Sequence, residues 1–298
     1  MNLKETCDKI KSIKIQGAEN VTTAALQALE NTVIHSQAKT KAQLLKELNT
    51  AKQQLFQTRS TEPEMRNYTT QVIQFTKSFP ERDIQHLKHA TKENIKHTLV
   101  KKQERKERII KIGSIFLIKE RKEKKLRVYT HCHASSVTAI LKQVSKRKKI
   151  TVSNTETRPL LQGRKTAQEL AKAGIAVTHH VDAAMISAIQ EADLVLIGAD
   201  AITKEGVYNK IGSELVALLS SHYHKPLYVC ASIWKYDEKK EHIEQRAKEE
   251  VWGHIPKGVS IHNPAFEKIH WKHITAVISE EGILKPKSFV KRAKSIVK

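Results

Sequence analysis

The chain has 298 residues, with 53 Lys and Arg against 31 Asp and Glu, a formal net charge of +22. That length can bury a sizeable core and favours two domains. The cysteines Cys7, Cys132 and Cys230 form no CxxC pair and no disulfide framework, which fits a reducing, cytoplasmic setting. No apolar run reaches the roughly 18 residues of a membrane span, and the first residues lack a signal-peptide core. A soluble protein without a membrane partner is therefore expected. The basic excess fits a nucleic-acid binder, an enzyme of phosphorylated substrates, or a Lys-biased proteome. It is spread over helix surfaces rather than gathered in a tail, so no specific nucleic-acid site is expected.

From the first residue to about 125 the chain reads as successive helices. Val21, Ala25, Leu29 and Val33 share one face, as do Leu44, Leu48, Ala51 and Leu55. Thr61-Glu62-Pro63-Glu64 reads as a capping box. Ile84, Leu87, Thr91, Ile95 and Leu99 mark a long helix running into Lys101-Lys102-Gln103-Glu104-Arg105-Lys106. The interleaved acids make that run a solvated face first and a polyanion site second. After about 126, short apolar runs alternate with amphipathic helices, as in a parallel sheet. Strands are expected at 127–131, 149–153, 175–179, 194–198, 226–231, 259–262 and 274–278. Val137, Ile140, Leu141 and Val144 form one helical stripe. Thr166-Ala167-Gln168-Glu169 reads as a second capping box, with its helix ending at Gly174. Ile211, Leu215, Leu218 and His222 mark a further helix starting just after Asn209. The fold class is α/β: a helical N-terminal domain (1–125) followed by a Rossmann-like parallel-sheet domain (126–298).

Candidate chemistry gathers at strand ends, where open α/β sheets bind ligands. Cys132 lies where a strand hands over to a helix beginning near Ser135, and a helix N-terminus lowers thiol pKa. The alternative is a small buried hydrophobe. Cys230 and Cys7 read as core. Asp200 follows Leu196-Ile197-Gly198-Ala199, so it stands at the next rim position, as a general acid or as the cap of a turn. Asn209-Lys210, ahead of a helix, suits a phosphate or sugar hydroxyls. Strand alternation separates Cys132 from His131 and His133, which spoils a three-ligand metal set. No GxGxxG follows any strand, so a dinucleotide is not expected.

These motifs together resemble the superfamily of translation initiation factor 2B alpha, beta and delta subunits and their sugar-phosphate isomerase relatives. The resemblance runs from Ile15-Gln16-Gly17-Ala18 through Thr58-Arg59-Ser60-Thr61-Glu62-Pro63, Thr130-His131-Cys132 and Thr155-Glu156-Thr157-Arg158-Pro159. It continues through Gly198-Ala199-Asp200-Ala201-Ile202 and Asn209-Lys210-Ile211-Gly212. Within the superfamily the chain looks most like the archaeal ribose-1,5-bisphosphate isomerases, with methylthioribose-1-phosphate isomerase further off. The resemblance implies Cys132 as proton acceptor and Asp200 as proton donor. It also implies Gln16, Gly17, Ala18, Arg59, Asn209, Lys210 and Lys235 as substrate contacts, Arg59 gripping a phosphate.

The chain departs from the isomerase pattern at Gln16, where those enzymes carry Arg, with Glu19 close by. It departs again at Ser60 in place of Pro, and at His133-Ala134 in place of Asn-Ser. An amide does not replace a bidentate guanidinium. The expected function is an aldose–ketose isomerase converting ribose 1,5-bisphosphate to ribulose 1,5-bisphosphate, a step of nucleotide salvage (AMP metabolism) that needs no redox cofactor and no metal. The alternative is a non-catalytic regulatory subunit that binds nucleotide or sugar phosphate and contacts initiation factor 2. A homo-oligomer, dimer or hexamer, is expected on either reading.

Overall fold

The computed structural model describes residues 1–80, 83–119, 125–238 and 244–297. Two compact units emerge, Met1–Arg105 and Lys106–Ile296. The first is all-helical: α1 Leu3–Lys11, α2 Ala18–His35, α3 Lys41–Thr58, α4 Pro63–Ser78 and the first part of α5, Ile84–Lys119. The apolar stripes of α2 and α3 read from the sequence are the faces it buries: Val21, Ala25, Leu29 and Val33, then Leu44, Leu48, Ala51 and Leu55. Met65, Tyr68 and Val72 of α4 complete that core with Leu87 and Ile95 of α5. A helix binds its neighbours through one such stripe because residues at i, i+3 and i+4 fall on a single side.

One expectation fails in this unit, and one residue departs from a second. Thr61 does not cap α4. The helix opens at Pro63, with Glu62 in the cap position and no side-chain cap bond, because the fixed φ of Pro favours the first helical position. Glu62 is instead buried and pairs with the Arg59 guanidinium at 3.1 Å. Within the basic run, Lys102 is not solvated: it is buried, and its ammonium donates to the Thr23 hydroxyl at 3.1 Å.

The second unit is built on a seven-stranded sheet with β1 Lys125–Thr130, β2 Lys149–Thr155, β3 Ala176–His180, β4 Leu194–Ile197, β7 Leu227–Cys230, β9 Ala276–Ser279 and β10 Gly282–Leu284. A small antiparallel sheet holds β5 Ala201–Ile202, β6 Gly206–Lys210 and β8 Phe266–His270. The helices are α6 Ser135–Ser145, α7 Gln162–Lys172, α8 Met185–Glu191, α9 Ser213–His222 and α10 Pro286–Ile296. The large sheet runs β10-β9-β7-β4-β1-β2-β3, parallel except for the β10 edge. Leu126 and Val128 of β1, Leu194 and Leu196 of β4 and the α6 stripe Val137, Ile140, Leu141 and Val144 share one core cluster. The chain leaves β1 toward β2 and β3, then crosses to the other side of β1 to form β4. The carboxyl ends of β1 and β4 therefore flank the topological switch point, where open α/β sheets form their ligand crevice.

The helical N-terminal region followed by a mostly parallel sheet is the expected fold class, but its details differ in four places. Residues 259–262 form no strand; the ladder partner is β8, a few residues on, which pairs with β6 from Gly206↔His270 to Lys210↔Phe266. Asn209 and Lys210 end a strand rather than open a helix, and α9 starts at Ser213. On α9 the large apolar residues face outward, Leu215 at 47% and Leu218 at 48% exposure. The smaller Ser213, Val216, Ala217 and Ser220 are buried. Thr166 is not a cap, because α7 already starts at Gln162. Among the described residues no helix is long and apolar enough to cross a membrane.

Candidate active site

The two rim positions flanking the switch point are occupied by Cys132, two residues past β1, and Asp200, three residues past β4. The loops that carry them touch. A β-carbon added to Gly198 would lie 2.7 Å from the Ala134 side chain, so only glycine allows this approach. The Asp200 amide donates to the Tyr208 carbonyl at 2.9 Å, which ties the acid to the small sheet that ends in Lys210.

Cys132 has a φ of 62°, in the left-handed region, and Thr157 has the same value. A non-glycine residue held there costs about 1–3 kcal/mol and persists only where its surroundings fix it. They do so on the main chain. The Cys132 amide donates to the Thr157 hydroxyl at 3.1 Å, and its carbonyl accepts from the Thr166 hydroxyl at 2.8 Å. The Thr157 and Arg158 amides in turn donate to the two Asp182 carboxylate oxygens at 2.9 and 2.7 Å. Sequence reading gave no role to Thr157 or Asp182 and made Thr166 a cap. The available signal was the Thr155-Glu156-Thr157-Arg158-Pro159 motif, whose polar residues needed a partner somewhere.

The expected lowering of the thiol pKa is overturned. Burial pushes the Cys132 thiol up to about 11. The Lys210 ammonium and the His133 amide oppose burial, while the Asp200 and Asp182 carboxylates reinforce it. The helix N-terminus does not prevail because the thiol sits in low dielectric with two carboxylates nearby, and desolvation favours its neutral form. The same interactions place Asp200 and Lys210 in the electrostatic neighbourhood of the thiol, as a proton-transfer pair with a cation requires. Cys7 and Cys230 are buried, and burial raises both thiols.

Lys210 ends β6, with its ammonium 5.3 Å from the centre of the Phe266 ring. Asn209 is buried, and its amide donates to the Ser213 hydroxyl at 2.9 Å. The Lys235 ammonium donates to the carbonyl of Ala199, next to Asp200. Asn209 and Lys210 thus lie on β6, which Tyr208 ties to Asp200, and Lys235 follows β7 and reaches the loop that carries Asp200. His133 pairs with Glu169 at 3.1 Å. Among the described residues, no group of three or more His, Cys, Asp or Glu is placed to hold a metal ion.

In the helical unit, Gln16 lies in the loop before α2, and Gly17 (φ 83°) and Ala18 open that helix. Arg59 is the C-cap residue of α3 and is paired with Glu62.

Comparison with known proteins gives this geometry a context. A chain from Pyrococcus furiosus called ribose 1,5-bisphosphate isomerase is 32% identical over 302 residues, covering 95% of this chain and 90% of that one. A Moorella thermoacetica protein called 5-deoxyribose 1-phosphate isomerase is 32% identical over 310 residues, covering 95% and 86%. Among solved structures, a Pyrococcus horikoshii translation initiation factor eIF-2B superposes with a TM-score of 0.80 at 26% identity, covering 95% of this chain and 97% of that chain. The family model described as the initiation factor 2 subunit family matches residues 14–286, and the chain belongs to that family.

Proposed function

We propose that the protein is a sugar-phosphate aldose–ketose isomerase, and that its substrate is ribose 1,5-bisphosphate, converted to ribulose 1,5-bisphosphate. The observation that carries this reading is the pairing of a thiol and a carboxyl at the carboxyl ends of adjacent central strands, with the Lys210 cation acting on the thiol. The isomerase names of the relatives support the reaction class, and the bisphosphate name supports the substrate.

A phosphate on C1 blocks the ordinary aldehyde route, so the ring opens with that phosphate attached. Asp200 donates its proton to the ring oxygen as the C1–O bond breaks, leaving cationic character at C1. Cys132, as thiolate, takes the C2 proton, and the C–H electron pair forms the C1–C2 double bond of an enol. Cys132 then delivers a proton to C1 of the enol and returns to thiolate, and the C2 hydroxyl gives its proton to Asp200, leaving the C2 ketone. Each group is restored, and general acid–base transfers of this kind contribute typically 10²–10⁴-fold each. In the alternative, the C2 hydrogen moves to C1 as hydride and the thiol stays neutral. Asn209, Lys210 and Lys235 hold the hydroxyls and phosphates.

The direct test is to incubate purified protein with ribose 1,5-bisphosphate and follow ribulose 1,5-bisphosphate by phosphorus NMR. Run in D₂O, thiol-mediated transfer places deuterium at C1 and a hydride shift does not. Absence of product would sink the reading.

One observation favours a regulatory role instead. The cation expected to grip a phosphate, Arg59, is already neutralised by buried Glu62, and Gln16 stands where the isomerases have Arg. On that reading the protein binds a nucleotide or sugar phosphate without turning it over, and pull-downs recover initiation factor 2. We further propose that it assembles as a homo-oligomer and acts in the cytoplasm.

A further inference from the structure

His131 is the last residue before Cys132 and is almost fully buried. Its Nε2 lies 2.8 Å from the Ile211 carbonyl oxygen. A carbonyl only accepts, so Nε2 carries the proton. Nδ1, 3.1 Å from the Thr155 hydroxyl, must then accept from it. The Thr155 oxygen is in turn 3.3 Å from the Tyr129 hydroxyl, which is left as the donor. The result is a buried hydrogen-bond chain with one direction: Tyr129 to Thr155 to His131 to the Ile211 carbonyl. Burial disfavours the charged imidazole and holds His131 below the ordinary histidine range, which keeps Nδ1 an acceptor.

The far end of this chain is the turn that follows Asn209 and Lys210. That turn closes through Gly212 at a φ of 97°, where an added β-carbon would lie 2.9 Å from the imidazole ring. The glycine lets the turn seat flat on the ring. The Lys210 ammonium acts electrostatically on both His131 and Cys132. It is carried by the small antiparallel sheet, while Cys132 is carried by the large one.

We infer that His131 is a positioning residue: through its Nε2–H bond to Ile211 it pins the Lys210–Gly212 turn to the Cys132 loop and so fixes the ammonium against the thiol. This deepens the isomerase reading above and rests on it for its catalytic meaning. The groups that face the thiol and set its ionisation are Lys210, Asp200, Asp182 and the His133 amide; of these, the Lys210 ammonium is the one the clamp holds.

The experiment compares wild type with His131→Gln, which can still donate to Ile211, and His131→Phe, which keeps the ring and loses both bonds. The rate of iodoacetamide alkylation at Cys132, mapped by mass spectrometry across pH, reads thiol ionisation without substrate. The expected result is a Phe variant whose thiol ionises at higher pH than wild type, with Gln close to wild type. KM for ribose 1,5-bisphosphate rises about tenfold or more in Phe, the worth of one charge-assisted hydrogen bond, and Gln restores most of it. Imidazole ¹⁵N NMR of the wild type should show the neutral Nε2–H tautomer. A folded Phe variant with an unmoved thiol profile, or an Nδ1–H tautomer in wild type, would overturn the inference. If the Phe variant does not fold, the tautomer and the Gln profile still decide. Wild-type inactivity on the bisphosphate sinks the isomerase reading alone, because the thiol titration needs no substrate.

Discussion

Alkylation of Cys132 should climb with pH well past neutrality. Burial holds the Cys132 thiol up at about 11, so roughly one molecule in 10⁴ carries the thiolate at pH 7 and about one in 10² at pH 9. Iodoacetamide reacts with the thiolate, so the reactive form exists on the alkaline side and is lost as pH falls. The alkylation rate at position 132 should therefore rise about tenfold per unit between pH 7 and 10 and bend near the thiol pKa. Cys132→Ser supplies the control: labelling at that position should vanish, and on the isomerase reading turnover should fall roughly 10²–10⁴-fold. The assay is mass-spectrometric mapping of the labelled peptide at each pH, with circular dichroism confirming that the fold persists. A rate that bends near the free-thiol value of about 8.5 would refute the burial argument. Turnover is the poorer gauge, because the proposed route also needs a proton on Asp200, a requirement that opposes the thiolate's as pH rises.

A β-carbon added at Gly163 would lie 1.8 Å from the Thr155 carbonyl oxygen, so Gly163→Ala should force α7 off the end of β2. A loss of about 1–3 kcal/mol is expected in urea unfolding, and a change below about 0.5 kcal/mol would refute the close approach. On α9, Leu215→Glu should leave stability within about 0.5 kcal/mol, whereas Val216→Ala should cost about 1–3 kcal/mol. The reverse order in thermal unfolding would show that the helix is turned the other way. Gln16→Arg adds a positive charge and Glu62→Gln removes a negative one beside Arg59, where a phosphate is expected, and each should lower the bisphosphate Kd several-fold by calorimetry. No gain in either would point to a different ligand.

The parts of the fold that were legible were those written in a regular period. The stripes of α2, α3 and α6 and the wholly apolar run of β4 are set by burial of one face or both, and burial selects residue type directly. β6 and β8 escaped notice because Gly206-Val207-Tyr208-Asn209-Lys210 and Phe266-Glu267-Lys268-Ile269-His270 mix charge with bulk in a sheet of only three strands. The residues 259–262 had strand composition without a ladder to join. The capping-box readings failed because a Thr three residues before a Glu is common: Pro63 rather than Thr61 sets the start of α4, and the Thr166 hydroxyl goes to an acceptor that the tertiary structure brings. For Thr166 that acceptor is the Cys132 carbonyl. Cys132 and Asp200 could be read because strand ends are visible in sequence. The supports of the Cys132 loop, Thr157 and Asp182, come 25 and 50 residues downstream of the thiol; the motif around Thr157 was the one hint of the first, and nothing local marks Asp182.

The loop after β1 is gripped by its backbone: at position 132 the amide and the carbonyl each have a side-chain partner. The architecture therefore asks little of the residue there beyond tolerance of a left-handed backbone, which Asn or Gly meets as well as Cys. On the proposed isomerase reading, loss of the thiol, by mutation or by descent, would remove the base and leave the scaffold standing. One amino acid would then separate a catalyst from a pure binder on this frame, and chemistry could be discarded in a single step while the loop kept its shape.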